Sequence, residues 1–253
     1  MARRIGIATG LIVLAVCAAF GQQSAAQFEV ASVKRAEGGG PAGDIPRNME
    51  SSPGRFAMRN VPLRYCLEWA YSLQDYEIVG PEWIKADERY DIFAKAPGPA
   101  SDEEMRPMLQ ALLLERFRMK VHRERREMVA YVLLPGKGPA KVKETAADSQ
   151  PALAPDPNGG VLFRHFPITR LTFLLTRRMD HPVLDQTGLK GIYDYTVDIS
   201  GLSEFSGTAS PDPNGVSIFA AIQQDLGLKL ELRKQQPIDI LAIDSVSKAP
   251  TEN

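Results

Sequence analysis

The sequence contains few of the residues that build cross-linked or metal-dependent folds. Of its 253 residues, only 2 are cysteine and 3 are histidine. Two cysteines cannot form a disulfide framework, and three scattered histidines leave little material for a metal cluster. An excess of one charge is also absent, because 30 basic and 31 acidic residues give a formal net charge of −1. We therefore do not expect nucleic acid as a partner, since phosphate binding requires a basic surface.

The remaining composition is typical of a packed globular chain. Hydrophobic residues make up 44% of the sequence and charged residues 24%, which is ordinary for globular domains. This excludes a disordered chain, a collagen-like fibre and a polytopic membrane protein. A length of 253 residues predicts between one and two domains.

Residues 1–26 have the pattern of a secretory signal peptide. Basic Arg3-Arg4 precedes the apolar run Ile5–Phe20, and Ser24–Ala26 fits the small-residue cleavage pattern. We therefore predict export, with Gln27 as the first mature residue and a secreted or periplasmic location. The apolar run is shorter than the ~20 residues that span a membrane, so we expect no membrane span after cleavage.

The mature chain repeats itself. Three anchor segments recur in the same order in the second half: Val61-Pro62-Leu63 with Phe166-Pro167-Ile168, Tyr90-Asp91-Ile92 with Tyr193-Asp194-Tyr195, and Phe117–Val121 with Leu226–Leu230. This ordered recurrence predicts two homologous modules. Residues that recur at equivalent positions are expected to have a structural function, and these are Pro62, Tyr90, Asp91, Pro167, Tyr193 and Asp194.

Each module is predicted to follow the order β-α-β-β-α-β-β, which gives an α+β fold with one extra strand before it. In the first module, Arg55–Asn60 alternates as a strand, and Ser101-x-x-Glu104 predicts a capping box at the start of the second helix. Met119–Arg126 and Val129–Leu134 are predicted to end the module as a hairpin. Cys66 lies in a helical apolar pattern and is interpreted as a small buried hydrophobic residue.

The predicted boundaries divide the chain into six parts. They are a signal peptide (1–26), a lead strand and flexible loop (27–53), module one (54–136), a linker (137–159), module two (160–247) and a tail (248–253). The lead strand FEVASVKR is predicted to pair with a module edge, because unpaired edges invite aggregation. The segment 36–53 and the linker are predicted to be exposed loops. Asn214-Gly215 or Ser217 is expected near the start of the last helix.

An ordered set of segments resembles a known family. These segments are FEVASVK, GRFAMRNVPLRYCLEWAY, GPEWIKADERYDIFAKA, MLQALLLERFRMKVHRERRE, DQTGLKGIYDYTVDI and IDSVSKAPTEN. Together they resemble a large family of exported proteins of unknown function that is abundant in soil bacteria. The module is also similar to one carried outside the membrane by sensor-type zinc metallopeptidases of the penicillin-receptor kind, which implies sensing or binding. By topology it is similar to the short N-terminal domain of secretins and TonB-dependent receptors.

The sequence around each match to a catalytic or cofactor-binding motif does not support that function. The H-E-x-x-H motif of the metallopeptidases does not occur. A G-x-G-x-x-G match at 38–43 contains Pro41 and precedes no helix pattern. Ser245-x-x-Lys248 matches a penicillin-binding nucleophile pattern, but it lies after the last strand and lacks the accompanying motifs. We therefore predict no catalytic, cofactor-binding or metal-binding residues.

Two groups of side chains are candidate ligand contacts. The first group is aromatic and comprises Trp69, Trp83 and Tyr90. It would line a cleft between the modules or pack in a core. The second group is basic and comprises Arg123, Arg125 and Arg126, in a run that glutamates interrupt. It would form a solvated face or contact an anionic ligand or envelope polymer.

Three classes of function stay open at this point. The first is an exported, non-catalytic binding or sensing protein that contacts a small ligand or a protein partner outside the cytoplasm. The second is a structural or assembly module of the cell envelope that uses strand-to-strand contacts. The third is a secreted enzyme whose site no linear motif reveals.

Overall fold

The structure is a computed structural model that describes residues 27–36, 49–85, 88–146, 150–157, 160–205 and 217–251. The predicted signal peptide, the 38–43 glycine motif and Asn214-Gly215 lie outside these residues. The strands are β1 (Val30–Arg35), β2 (Met49–Ser52), β3 (Arg55–Pro62), β4 (Ile78–Val79), β5 (Arg89–Lys95), β6 (Lys120–Pro135), β7 (Lys143–Glu144), β8 (Ala152–Pro155), β9 (Val161–Phe166), β10 (Val183–Asp185), β11 (Tyr193–Val197) and β12 (Leu228–Ser245). The α-helices are α1 (Leu63–Tyr71), α2 (Asp102–Arg116), α3 (Ile168–Thr176) and α4 (Ile218–Leu226).

The first sheet has the strand order β1-β5-β3-β2, and all its pairs are antiparallel. The predicted lead strand pairs with a module edge, because β1 runs beside β5 from Val30↔Lys95 to Arg35↔Tyr90. The prediction of a loop over 36–53 is wrong for Met49–Ser52, which forms β2. Gly54 has a φ of 72° and allows a tight hairpin turn from β2 into β3, which the loop prediction overlooked.

The third sheet has the strand order β7-β11-β9-β8. The linker 137–159 was predicted to be an exposed loop, and this is wrong for Lys143–Glu144 and Ala152–Pro155, which form the two outer strands. The physical reason is that β9 and β11 form only a two-stranded pair by themselves. Their outer edges present backbone donors and acceptors that the neighbouring linker satisfies.

The central sheet departs most from the sequence prediction. β6 and β12 are continuous strands of 16 and 18 residues, and they pair antiparallel from Leu228↔Pro135 to Ser245↔Lys120. The predicted hairpin at Glu127-Met128 is wrong, because these two residues face Pro237 and Gln236 across the ladder rather than making a turn. Each half therefore has the order β-α-β-β-α-β. The α+β class is confirmed, and the homology of the halves stays a prediction.

The two halves exchange short strands at the edges of this central sheet, whose order is β10-β6-β12-β4. β4 of the first half pairs in parallel with β12, at Ile78↔Leu241. β10 of the second half pairs in parallel with β6, at Val183↔Tyr131. Each half thus adds one short edge strand beside the long strand of the other half.

Apolar residues form a core in each half and a smaller one between them. The first core is built around Tyr90, Phe117 and Cys66, all fully buried, so the prediction of a buried cysteine is confirmed. The smaller cluster consists of Ala130, Ile238 and Ile240 on the central strands, with Tyr76 and Leu184 packed against it. Among the described helices, none is both long and apolar enough to span a membrane.

The helices begin with caps that the sequence partly predicts. Ser101 and Glu104 form the predicted capping box at α2. Ser217 caps α4, where its hydroxyl accepts a hydrogen bond from the Ala220 amide at 3.3 Å. Pro62 and Pro167 occupy the cap positions of α1 and α3 and hold the chain extended there.

A candidate ligand cleft between the two halves

A cleft of about 360 Å³ lies where α1 and the turn after it face α3 and the loop after it. A neighbouring cavity of about 240 Å³ continues it towards β10. The two spaces share the side chains of Gln74, Tyr76, Phe173 and Thr176. Both halves of the molecule therefore form the walls of one continuous groove.

The first half presents a mixed polar and aromatic flank of α1 to this groove. The apolar spacing of α1 buries one face of the helix in the first core, through Leu63, Cys66, Leu67 and Ala70. Arg64, Tyr65 and Glu68 lie on the adjoining flank and are half-buried. The fold therefore directs charged side chains into a confined space.

Glu68 is the most perturbed carboxyl of the cleft. Its Oε1 forms an ion pair with Nε of Arg64 at 3.2 Å, and Nη1 of Arg64 donates a hydrogen bond to Asp75 at 2.7 Å. Burial raises the pKa of Glu68 to about 7, although the positive charges of Arg64 and Arg177 act in the opposite direction. Glu68 therefore exchanges its proton near neutral pH.

The second half contributes the guanidinium of Arg177. This residue caps the C-terminus of α3, and its guanidinium carbon lies 5.7 Å from the centre of the Phe173 ring. Within the described part of the chain, no carboxylate lies within 4.0 Å of its guanidinium nitrogens. Asp180, by contrast, interacts with the Tyr131 hydroxyl and with His181 at 3.7 Å. Arg177 therefore keeps donors available at the cleft wall.

The three aromatic candidates from the sequence do not line this cleft. Trp69 packs against Phe56, with ring centres 4.5 Å apart, and Trp83 lies 5.5 Å from the Lys248 ammonium. Tyr90 is fully buried, and its hydroxyl donates a hydrogen bond to the Lys248 carbonyl at 2.7 Å. The aromatic side chains that do line the cleft are Tyr65, Tyr76 and Phe173.

The three basic candidates lie on β6, and each has a nearby partner. Nε of Arg125 donates to Asp239 on β12 at 2.9 Å, and Arg126 pairs with Glu124. The guanidinium of Arg123 lies 6.0 Å from the centre of the Tyr71 ring. The positive charge of Arg125 and Arg126 is thus balanced locally, which leaves less of it for an anionic ligand.

The recurrent tyrosine-aspartate pairs support the backbone. The Asp91 carboxylate accepts a hydrogen bond from the Asn60 amide at 2.8 Å, and Asp194 accepts one from the His165 amide at 2.9 Å. The Tyr193 hydroxyl accepts a hydrogen bond from the Gly191 amide at 3.0 Å. Among the described residues, no cluster of three or more histidine, cysteine or acidic side chains is placed to hold a metal ion.

Sequence reasoning missed Glu68 and Arg177 because the cleft depends on how the halves meet. The signal available was an arginine and a glutamate four residues apart in the otherwise apolar helix α1. Such a pair is more often a solvated helix contact. Its place in a cleft becomes visible only in the folded chain, where α3 and the loop after it form the opposite wall.

These features define an α+β protein of two halves that share a central sheet and enclose a charged cleft. The chain belongs to the family described as proteins of unknown function, DUF3738, which it matches over residues 64–246. The resemblance to an uncharacterised family is thereby confirmed. No curated protein and no solved structure matches the chain.

Proposed function

We propose that the protein is an exported, non-catalytic binding or sensing protein that accepts a small ligand in the cleft between its halves. The observation that carries this proposal is that α1 and α3, from different halves, form the two walls of one groove. A ligand held there contacts both halves at once. Its occupancy would therefore be sensed by the whole shared sheet.

The character of the groove supports a ligand site. Its volume falls within the ~300–1,000 Å³ of small-molecule pockets. The aromatic side chains of Tyr65 and Phe173 stand among charged and polar ones, and a carboxyl with a raised pKa lies among them. Such combinations are enriched at functional sites. Export is supported by the signal-like pattern of residues 1–26 and by the family that the sequence resembles.

A thermal-unfolding screen tests the ligand site. Organic acids, amino acids, amines and sugars are added to the chain that begins at Gln27, because a ligand of the folded state raises the unfolding temperature. Phe173→Ala removes a cleft wall, and Phe219→Ala is the matched control at an exposed phenylalanine of α4. We expect a ligand to stabilise the wild type and the control and to leave Phe173→Ala unchanged. The proposal fails if no compound stabilises the protein, or if the two variants respond alike.

Export is tested separately from binding. The full chain is expressed in a bacterium with an intact secretion pathway, and the N-terminus of the exported product is sequenced. We expect a product that begins at Gln27. Retention of the uncut chain in the cytoplasm would contradict export. The ligand site would still be tested by the thermal screen.

A second candidate function is assembly with an envelope protein. The outer face of the first sheet forms a shallow groove of about 600 Å³, where Val30 is 60% exposed and Phe93 is 42% exposed. An exposed apolar side chain surrounded by polar and charged ones is typical of interfaces between proteins. In a pull-down from envelope fractions, loss of a multimeric partner with Phe93→Ser, and not with Phe219→Ser, would favour this candidate.

A further inference from the structure

We propose that the cleft selects a small organic carboxylate, whose charged group pairs with Arg177 and whose apolar body lies between Tyr65 and Phe173. This inference rests on the proposed function and adds the chemical class of the ligand. It follows from the charges left unpaired in the cleft and from the shape of its walls.

The ion pairs of the cleft leave one cation without a carboxylate. Arg64 is engaged by both Glu68 and Asp75, at 3.2 Å and 2.7 Å. The guanidinium of Arg177 lies over the ring of Phe173 and has no carboxylate within 4.0 Å among the described side chains. A guanidinium presents a planar pair of donors that matches a carboxylate, so Arg177 supplies the natural contact for that group.

Glu68 can adjust its protonation state to a bound carboxylate. The charged groups that act on it are Arg64 on its own helix, Asp75 in the following turn and Arg177 on α3. Burial raises the pKa of Glu68 to about 7. A carboxylate that enters beside it adds negative charge and raises that pKa further. Glu68 then binds a proton and can donate a hydrogen bond to the ligand.

The pairing of charges in the cleft favours a monoanion over the alternatives. Arg64 is paired with Glu68 and Asp75, and Asp180 lies beside His181, whereas no described carboxylate pairs with Arg177. A small cation would lie close to both guanidinium groups and be repelled. A doubly charged phosphate would need a second free cation, and Arg64 is already paired.

The walls of the cleft suit an apolar body. Phe173 is held by cation–π contacts with Arg170 and Arg177, at 5.5 Å and 5.7 Å, so its ring is fixed on one side of the groove. Tyr65 and Met179 extend the apolar surface. A carboxylate that carries an aromatic or short aliphatic group would bury that group here.

Three probes of similar size and different charge test the selection. Phenylacetate is an anion, phenethylamine is a cation, and phenethyl alcohol is neutral, while all carry a phenyl ring on a two-carbon chain. Calorimetric titration at pH 6.5 is expected to show the tightest binding for phenylacetate. We expect Arg177→Gln to weaken that binding about tenfold or more. Arg178→Gln, at the neighbouring exposed residue that does not line the cleft, is the control and should bind as the wild type does.

The pH dependence tests the role of Glu68. Above pH 7, wild-type affinity for phenylacetate should fall by up to about tenfold per pH unit, because binding takes up a proton. Titrations in two buffers of different ionisation enthalpy should register that proton. Glu68→Gln keeps a donor and cannot titrate, so it should still bind and should lose the pH dependence. Circular dichroism confirms that each variant is folded.

The outcomes separate this inference from the proposed function. Tighter binding of phenethylamine would overturn the carboxylate class and still support a ligand site. Unchanged phenylacetate affinity in Arg177→Gln would overturn the assigned contact. Failure of all three probes would overturn the carboxylate class, and the proposed function would then also fail if the wider screen finds no cleft-dependent ligand.

Discussion

The Asp91 carboxylate holds the backbone amide of Asn60 at 2.8 Å, in a left-handed bend where the φ angle of Asn60 is 54°. The Arg89 guanidinium donates to the carbonyl of the same residue at 2.9 Å. The ladder between β3 and β5 shifts its register at this bend, just before α1 begins. Asp194 and His165 repeat the arrangement before α3, where the φ angle of His165 is 57°.

Removal of the Asp91 carboxylate should destabilise the protein. Asp91→Ala leaves the Asn60 amide without its acceptor in a strained conformation, and we expect a loss of about 1–2 kcal/mol in the free energy of unfolding. Asp194→Ala should cost a similar amount for the same reason. Urea unfolding followed by circular dichroism measures both losses.

A glycine at the bend provides the control. Asn60→Gly relieves the left-handed strain, so combining it with Asp91→Ala should recover part of the lost stability. Glu50→Ala, at an exposed residue of β2, should change stability by less than about 0.5 kcal/mol. An Asp91→Ala protein as stable as the wild type would show that the carboxylate does not hold the bend.

Ionisation of Glu68 should make the protein less stable as the pH rises. The pKa of this carboxyl is raised from its ordinary value of 4.5 to about 7 in the folded state. Between these values the folded state binds the proton and the unfolded state does not, so stability falls as the pH increases through this window. The contribution lost by pH 8 is about 3 kcal/mol.

The comparison with Glu68→Gln isolates this group. The variant cannot titrate at this position, so the difference in unfolding free energy between wild type and variant should change by that amount between pH 4.5 and pH 8. Glu82→Gln, at an exposed residue, should run parallel to the wild type across the same range. A parallel curve for Glu68→Gln would mean that the carboxyl is solvated in the folded protein.

The Cys66 thiol should be unreactive in the folded protein. It is fully buried, burial raises its pKa, and it lies 3.6 Å from the Pro62 carbonyl, to which it donates. The thiolate that attacks disulfide reagents is therefore scarce and inaccessible. In the chain that begins at Gln27, Cys66 is the single cysteine, and its labelling with a chromogenic disulfide should occur only when denaturant is added.

An exposed cysteine supplies the comparison for this experiment. Lys137→Cys lies in the exposed bend after β6 and should react at once under native conditions. If Cys66 in the native protein reacted as fast as that residue, the first core would have to open readily.

The sequence predicts local features of this fold better than long-range ones. The capping box at Ser101 and the burial of Cys66 follow from patterns within a few residues, and both are confirmed. Ser217, one of two alternatives predicted near the start of the last helix, caps that helix. The polar segment around Glu127 has the composition of a turn, but its backbone pairs with Pro237 on a distant strand. Such pairing is decided by tertiary contacts that short-range propensity does not contain.

The same distinction applies to the candidate site. Aromatic content pointed to Trp69, Trp83 and Tyr90, which pack within the first half. The cleft instead uses Glu68 and Arg177, from α1 and the end of α3, which face each other across the space between the two halves. Residue type alone could not indicate which charged helix face would line a cleft.

The shared sheet should make the halves unfold together. Both tryptophans, Trp69 and Trp83, report on the first half, whereas circular dichroism reports on the whole chain. Leu171→Ala creates a cavity in the second core and should cost about 2–5 kcal/mol. We expect the tryptophan fluorescence transition to move to lower urea together with the dichroism transition.

The exposed residue Phe219 provides the reference for that shift, since Phe219→Ala should leave both transitions nearly in place. Two separate transitions in Leu171→Ala, with the fluorescence midpoint unchanged, would mean that the halves are independent despite their shared strands.

The exchange of β4 and β10 has a consequence for the covalent chain. If a protease cuts the backbone between β7 and β8, the two fragments remain joined along the whole length of β6 and β12. Each fragment also keeps its short strand inserted beside the long strand of the other. The molecule is thus suited to fragment complementation, in which two separately produced polypeptides reconstitute one folded protein and, with it, the cleft that needs both.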